Sequence, residues 1–321
     1  MKEHLDRSTG NFHIEGIVPP LVTPLKDSNV LDRHGLERLI EHVIHGGVQG
    51  VFILGTTGEI SRLSCELKDE MIHTTCNIVN KRIPVLVGIT DTSIHGTLRL
   101  EKIANDAGAE AVVLAPPFYY HVEQNELLDY FIEVADTVTL PLFLYNIPSR
   151  TNIIIEIDTV LDAAKHPGIY GIKDSSGDLI YLQNLIYSLS SINGYSDFSV
   201  FIGPEEIMAQ SVMLGATGGV NGGANLYPKL FVEMFRAAKE RNISLVNDLQ
   251  SIITHISNTL YRIGSEQPNF TKIIKESLSQ KGICVPYMEK PYIPFSERDR
   301  NRIKECISSI TIPEEHLNLF E

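Results

Sequence analysis

Eight short runs rich in β-branched and apolar residues recur along most of this 321-residue chain, and that recurrence limits its fold more than any other feature. They fall at 17–23, 50–55, 84–88, 111–115, 141–145, 169–173, 198–203 and 218–221. Most lie roughly 30 residues apart, the length of a strand, a turn and a helix. The segments between them carry a helical period. In 31–45, for instance, Leu36, Leu39, Ile40, Val43 and Ile44 fall on one face. Segments 178–189 and 204–214 read the same way.

Alternation of this kind gives a parallel sheet, either closed into a barrel or open and doubly wound. The even spacing favours closure. No G-x-G-x-x-G follows the first run, so the open dinucleotide-binding sheet loses its best signal. After residue 240 the strand signal ends, and 246–263, 271–281 and 297–310 look helical. The expected fold class is α/β. A loose N-terminal arm should cover 1–15, a (β/α)8 TIM barrel 16–240, and an all-helical C-terminal region 241–321.

Charge narrows the function. Lys plus Arg is 27 against 40 Asp plus Glu, a net charge of −13. Such a chain repels phosphate backbones and lacks a polybasic membrane patch, so neither a nucleic-acid nor a membrane partner is expected. No run approaches the ~18 apolar residues of a membrane span, and MKEHLDRSTGNFHIEG has no apolar core of a secretory signal. The four cysteines, Cys65, Cys76, Cys284 and Cys306, match neither a zinc pattern nor a disulfide framework. They read as thiols in a reducing compartment, the cytoplasm.

In a βα barrel the reacting groups sit at the C-terminal ends of the strands. Lys173 closes the apolar run IYGIK there. Desolvation favours the neutral amine of a lysine, and a neutral amine can attack a ketone to form a Schiff base. A lysine merely reaching solvent at the barrel rim is the plainer alternative. Tyr145 ends the neighbouring strand, where its phenol could pass protons or simply fill the core. Thr56 and Thr57 lie in the Gly-flanked turn GTTGE, whose backbone N–H groups suit a carboxylate as well as a plain helix cap. Arg150 follows a proline-fixed turn and suits a second carboxylate, or an acid on the surface. Glu205 and Glu206 open a helix, where acids favour the helix dipole or could accept bonds from substrate hydroxyls. The Gly-rich eighth run could cradle a phosphate or let a small substrate approach the backbone. Among the 11 histidines no HxH closes a strand, and His42 and His45 belong to a helix. No metal-dependent aldolase site and no nucleotide-phosphate loop is legible, so neither metal nor cofactor is expected.

GTTGE, PPFYY (116–120), YNIPSRT and GIKDSSGD, in this order and at these spacings, resemble the dihydrodipicolinate synthase / N-acetylneuraminate lyase family over nearly the whole chain. The resemblance implies a cytoplasmic class I aldolase, usually a homotetramer built as a dimer of dimers. Lys173 would form an imine with pyruvate or another 2-keto acid, and Tyr145 would donate the proton. Thr56 and, from a neighbouring chain, Tyr119 would complete a proton relay. Thr57 and the backbone at Val220 would hold the pyruvate carboxylate and imine. Arg150 looks like the synthase residue that binds aspartate semialdehyde. GPEE at 203–206 instead resembles a lyase motif whose acids, here Glu205 and Glu206, bind sugar hydroxyls. Where lysine-inhibited synthases carry His, His, Glu and Tyr, this chain has Cys65, Lys68, Gly96 and Phe118, so lysine feedback is not expected. The expected reaction is condensation of pyruvate with a small aldehyde. The alternative is an aldolase, lyase or dehydratase acting on a 2-keto-3-deoxy sugar acid or N-acetylneuraminate.

Overall fold

A computed structural model describes residues 12–191, 198–264 and 270–310. Each of the eight runs overlaps one strand of a single parallel sheet. They are β1 (Gly16–Ile17), β2 (Val51–Ile53), β3 (Val85–Gly88), β4 (Ala111–Leu114), β5 (Leu142–Asn146), β6 (Ile169–Asp174), β7 (Ser199–Ile202) and β8 (Gly218–Gly219). Strands β2 to β8 pair in chain order, and β8 pairs with β1. A parallel bridge from Pro20 to Phe52 joins the chain after β1 back to β2 and closes the ring. There Phe52 N donates to Pro19 O and Leu21 N to Phe52 O. The barrel expectation therefore holds.

The two end strands are shorter than their runs. Prolines 19 and 20 carry no N–H, so the ladder of β1 stops after two residues. At β8 the backbones approach so closely that a Cβ on Gly218 would lie 1.9 Å from Gly16 O. Only glycine fits there.

Strand residues divide by parity. Val51, Ile53, Val87, Leu144 and Ile172 face outward onto the helices and join the larger apolar core. Phe52, Leu86, Val113, Phe143, Tyr145, Phe201 and Val220 fill the barrel interior. Burial on both faces explains why the runs read as continuous apolar stretches rather than as alternating ones.

The helices are α1 (Arg33–His45), α2 (Cys65–Val79), α3 (Ile94–Ala107), α4 (Gln124–Thr137), α5 (Ile157–Ala163), α6 (Leu179–Ser190), α7 (Met208–Leu214) and α8 (Pro228–Lys239). Four begin at side-chain caps, Asp32, Ser64, Ser93 and Asp178, each accepting a first-turn N–H. Beyond the barrel come α9 (Ile243–Thr259), α10 (Phe270–Gln280) and α11 (Glu297–Ser309), with no further strand among the described residues.

Two features differ from expectation. The N-terminal arm is not loose where it is described. The Phe12 ring meets Phe143 edge-on at 5.9 Å, and Ile14 is buried among the interior side chains. A barrel this narrow leaves apolar side chains open at its lower end, and the arm covers them. The second is a small antiparallel pair, Leu25–Asp27 with Val30–Leu31. The Glu289 carboxylate closes its turn by accepting from Ser28 Oγ and Asn29 N.

Candidate active site

Register in the sheet sets the centre of the site. β5 and β6 pair with Tyr145 opposite Lys173 and Asn146 opposite Asp174. Parity then sends the first pair into the barrel and the second outward. Lys173 is 6% exposed and Tyr145 5%. Lys173 Nζ lies 4.0 Å from the centroid of the Tyr145 ring and 5.2 Å from that of Phe52. A cation over aromatic faces is stabilised there, and the rings limit its access to water. Tyr145 Oη lies 3.4 Å from Thr56 Oγ1 and is hydrogen-bonded also to Lys173 and Ser175. Burial alone would raise the phenol. The charge of Lys173 and the bonds to Thr56, Lys173 and Ser175 outweigh it and hold the phenol below its usual value. The tyrosine thus gives up a proton more readily than a buried tyrosine ordinarily would.

The outward pair locks this arrangement. Asn146 Nδ2 donates to Asp174 Oδ1 at 2.8 Å, and Asn146 Oδ1 accepts from Ile155 N. Asp174 also accepts from the amide and hydroxyl of Ser176. Burial pushes its carboxyl up, and the Ser176 and Asn146 bonds draw it part of the way back. The strand ends cannot slip past one another without leaving these buried groups unpaired.

The turn after β2 supplies the next part. Leu54 has φ 55° and Glu59 φ 62°, both left-handed, so the chain reverses sharply around Gly55-Thr56-Thr57-Gly58. A Cβ on Gly58 would stand 2.9 Å from Leu54 N. Thr56 is exposed at the mouth beside Tyr145, and Thr57 is half-buried. At β8, Val220 is buried in the interior cluster and its N–H donates to Ile202 O.

The remaining expected residues lie apart from this centre. Arg150 is exposed on the one-turn helix Pro148–Thr151, immediately after β5. Glu205 is buried, and its Oε2 accepts from Gly223 N at 2.8 Å. Burial raises its carboxyl to about 7 and the neighbouring Glu206 adds to this, while the Gly223 amide and the adjacent Tyr261 phenol offset part. Glu206 is exposed and accepts from Ser257 Oγ on α9. Tyr119 stands 80% exposed after β4, its ring against that of Tyr120.

Three participants carried no expectation. Phe52 and Ser175 lie inside the quoted motifs or runs, but strand parity and register were needed to aim them. Lys275 is the third. It follows Ile274 and precedes Leu278 on the apolar stripe of α10, a pattern that marks a buried lysine. Among the described residues no group of three or more His, Cys, Asp or Glu side chains could hold a metal ion. No described helix is long and apolar enough to cross a membrane.

Comparison with known proteins agrees with this fold. The model of the Dihydrodipicolinate synthetase family matches residues 13–310. A crystal structure of dihydrodipicolinate synthase from Bacteroides thetaiotaomicron superposes with a TM-score of 0.89 at 46% identity, covering 93% of this chain and 99% of the other. The Escherichia coli prophage protein YagE, solved with pyruvate, gives 0.85 at 28%, with 92% and 98% covered. A probable 2-dehydro-3-deoxy-D-pentonate aldolase of Escherichia coli, YjhH, is 30% identical, with 92% of this chain and 96% of the relative covered.

Proposed function

The chain belongs to the dihydrodipicolinate synthetase family, whose members are Schiff-base lyases, and on that premise we propose that it condenses pyruvate with a small aldehyde resembling aspartate semialdehyde. The observation that carries this reading is the buried contact between Lys173 and Tyr145. The Lys173 amine adds to the pyruvate ketone, and water leaves to give a protonated imine. Loss of a methyl proton yields the enamine, whose carbon attacks the aldehyde. Tyr145, with Thr56, passes the protons that these steps move. Thr57 and the backbone at Val220 hold the carboxylate. Tyr119 reaches the site of a neighbouring chain, which requires an oligomer, and we assign a homotetramer. The acidic surface and the thiols suit the cytoplasm.

Arg150 at the mouth gives the aldehyde's carboxylate a guanidinium, whereas Glu205 is buried and holds Gly223 N with one of its two oxygens. That contrast favours the synthase reading. The second reading is cleavage of a 2-keto-3-deoxy sugar acid to pyruvate and an aldehyde. It is supported by YagE and YjhH, whose names are those of such aldolases. Steady-state assay with pyruvate and a panel of aldehydes, run beside 2-keto-3-deoxy sugar acids, decides between them. Higher kcat/KM for aspartate semialdehyde supports the first; higher kcat/KM for a sugar acid replaces it with the second.

A further inference from the structure

We propose that α10 positions the keto-acid carboxylate pocket, through a buried Lys275–Glu59 ion pair at one end of a short stretch and a Phe270–Gly222 contact at the other; Lys275, Glu59 and Phe270 are positioning residues. This rests on the imine reading above.

Lys275 Nζ donates to Glu59 Oε1, and both side chains are fully buried. The ammonium donates also to Tyr287 O at 2.9 Å. Glu59 Oε2 has no hydrogen-bond partner, and Arg62 Nη1 lies 3.7 Å from it. Glu59 is the last residue of GTTGE, and its own N–H donates to Thr56 O. Its left-handed backbone is unfavourable for a residue with a side chain and persists only where the surroundings hold it. The Lys275 bond is that hold. From the other side Thr23 Oγ1 donates to Gly58 O at 2.7 Å. The turn bearing Thr56 and Thr57 is thus clamped between the chain after β1 and α10.

Phe270 lies five residues before Lys275, about 7.5 Å along a helix axis. Its ring meets Tyr261 edge-on at 4.8 Å and packs so closely on Gly222 that a Cβ there would lie 2.3 Å from it. Gly222 is two residues past Val220. One helix therefore abuts both backbone segments assigned to the carboxylate.

A buried ion pair contributes little net stability compared with an apolar pair of the same shape, whereas removing only one partner is costly. The double variant Glu59→Gln/Lys275→Met removes both charges and keeps the volume. The measurement is the pyruvate concentration that half-saturates borohydride trapping at Lys173, taken with Tm. The double variant is expected to melt near the wild-type temperature and to need about 10–100 times more pyruvate, since small misplacement of a binding group has effects of this order. Its kcat at saturating pyruvate should fall far less. Phe270→Leu should shift half-saturation in the same direction by less. Wild-type half-saturation in both variants, or a shift that tracks lost Tm, overturns the inference alone. No adduct in the wild type overturns the imine reading and this inference with it.

Discussion

The two sides of the barrel mouth are built differently. On the β5–β6 side, Tyr145 and Lys173 stand opposite each other on one rung of the ladder, and backbone hydrogen bonds fix their separation. On the side proposed for recognition, Arg150 and the acids at 205–206 stand on one-turn helices in the loops that follow their strands, where a change of one residue alters what they reach. Chemistry placed on strands tolerates little variation. Recognition placed on loops can vary while the chemistry stays, so one barrel can serve both a synthase and a sugar-acid aldolase.

If that contrast is right, changes on the ladder should be the most damaging. Lys173→Arg should abolish turnover, because a guanidinium stays charged and cannot attack a ketone. Any turnover well above background in a purified, folded Lys173→Arg protein would break the comparison at its root. Tyr145→Phe should come next. It removes a proton-transfer group while keeping the ring on Lys173, and kcat should fall by about 10²–10⁴. A loss confined to pyruvate KM would show that Tyr145 only packs.

On the loop side the expected effects are smaller and depend on substrate. Arg150→Ala should cost about 2–5 kcal/mol in kcat/KM toward an aldehyde carrying a carboxylate. Toward an aldehyde without one, kinetics should change little. Equal losses for both aldehydes would remove Arg150 from recognition. Glu205→Gln should affect kcat/KM less than Arg150→Ala does, and the reverse ranking would move the assignment to the sugar-acid reading.

Glu205 also makes a prediction about stability. Its folded value of about 7 lies above the 4.5 of an ordinary glutamate. Between those values the folded state binds more proton than the unfolded one, so this contribution is present below pH 4.5 and is lost as pH rises through 7. Glu205→Gln keeps an acceptor for Gly223 and does not ionise. Relative to wild type it should therefore gain up to about 3 kcal/mol between pH 4.5 and pH 8. Urea unfolding at the two pH values checks this, and a constant difference would mean that Glu205 titrates normally. Lysine should have the least effect. Lys68 already faces Asp91 at 3.8 Å, and Gly96 and Phe118 offer no carboxylate there. Marked inhibition by sub-millimolar lysine would contradict this.

The contrast between ladder and loops also explains what could be read from sequence. Strand positions were legible because burial on both faces makes continuous apolar runs. The opposition of Tyr145 and Lys173 follows once those two runs are taken as neighbours. The close glycine contact at β8 depends on how the barrel closes, which no local pattern records. Glu205 and Glu206 looked equivalent in sequence, yet one is buried against Gly223 and the other is exposed against α9. The Lys275–Glu59 bond spans 216 positions. Its lysine carried no expectation, although it interrupts an apolar stripe, and nothing local points to its partner.

The proposed nucleophile is Lys173. Incubation with pyruvate and borohydride, followed by peptide mass mapping, tests it most directly. One reduced pyruvate adduct is expected, on the peptide containing Lys173, with loss of activity in proportion to its formation. An active enzyme that gives no adduct, or gives one on another lysine, would contradict it.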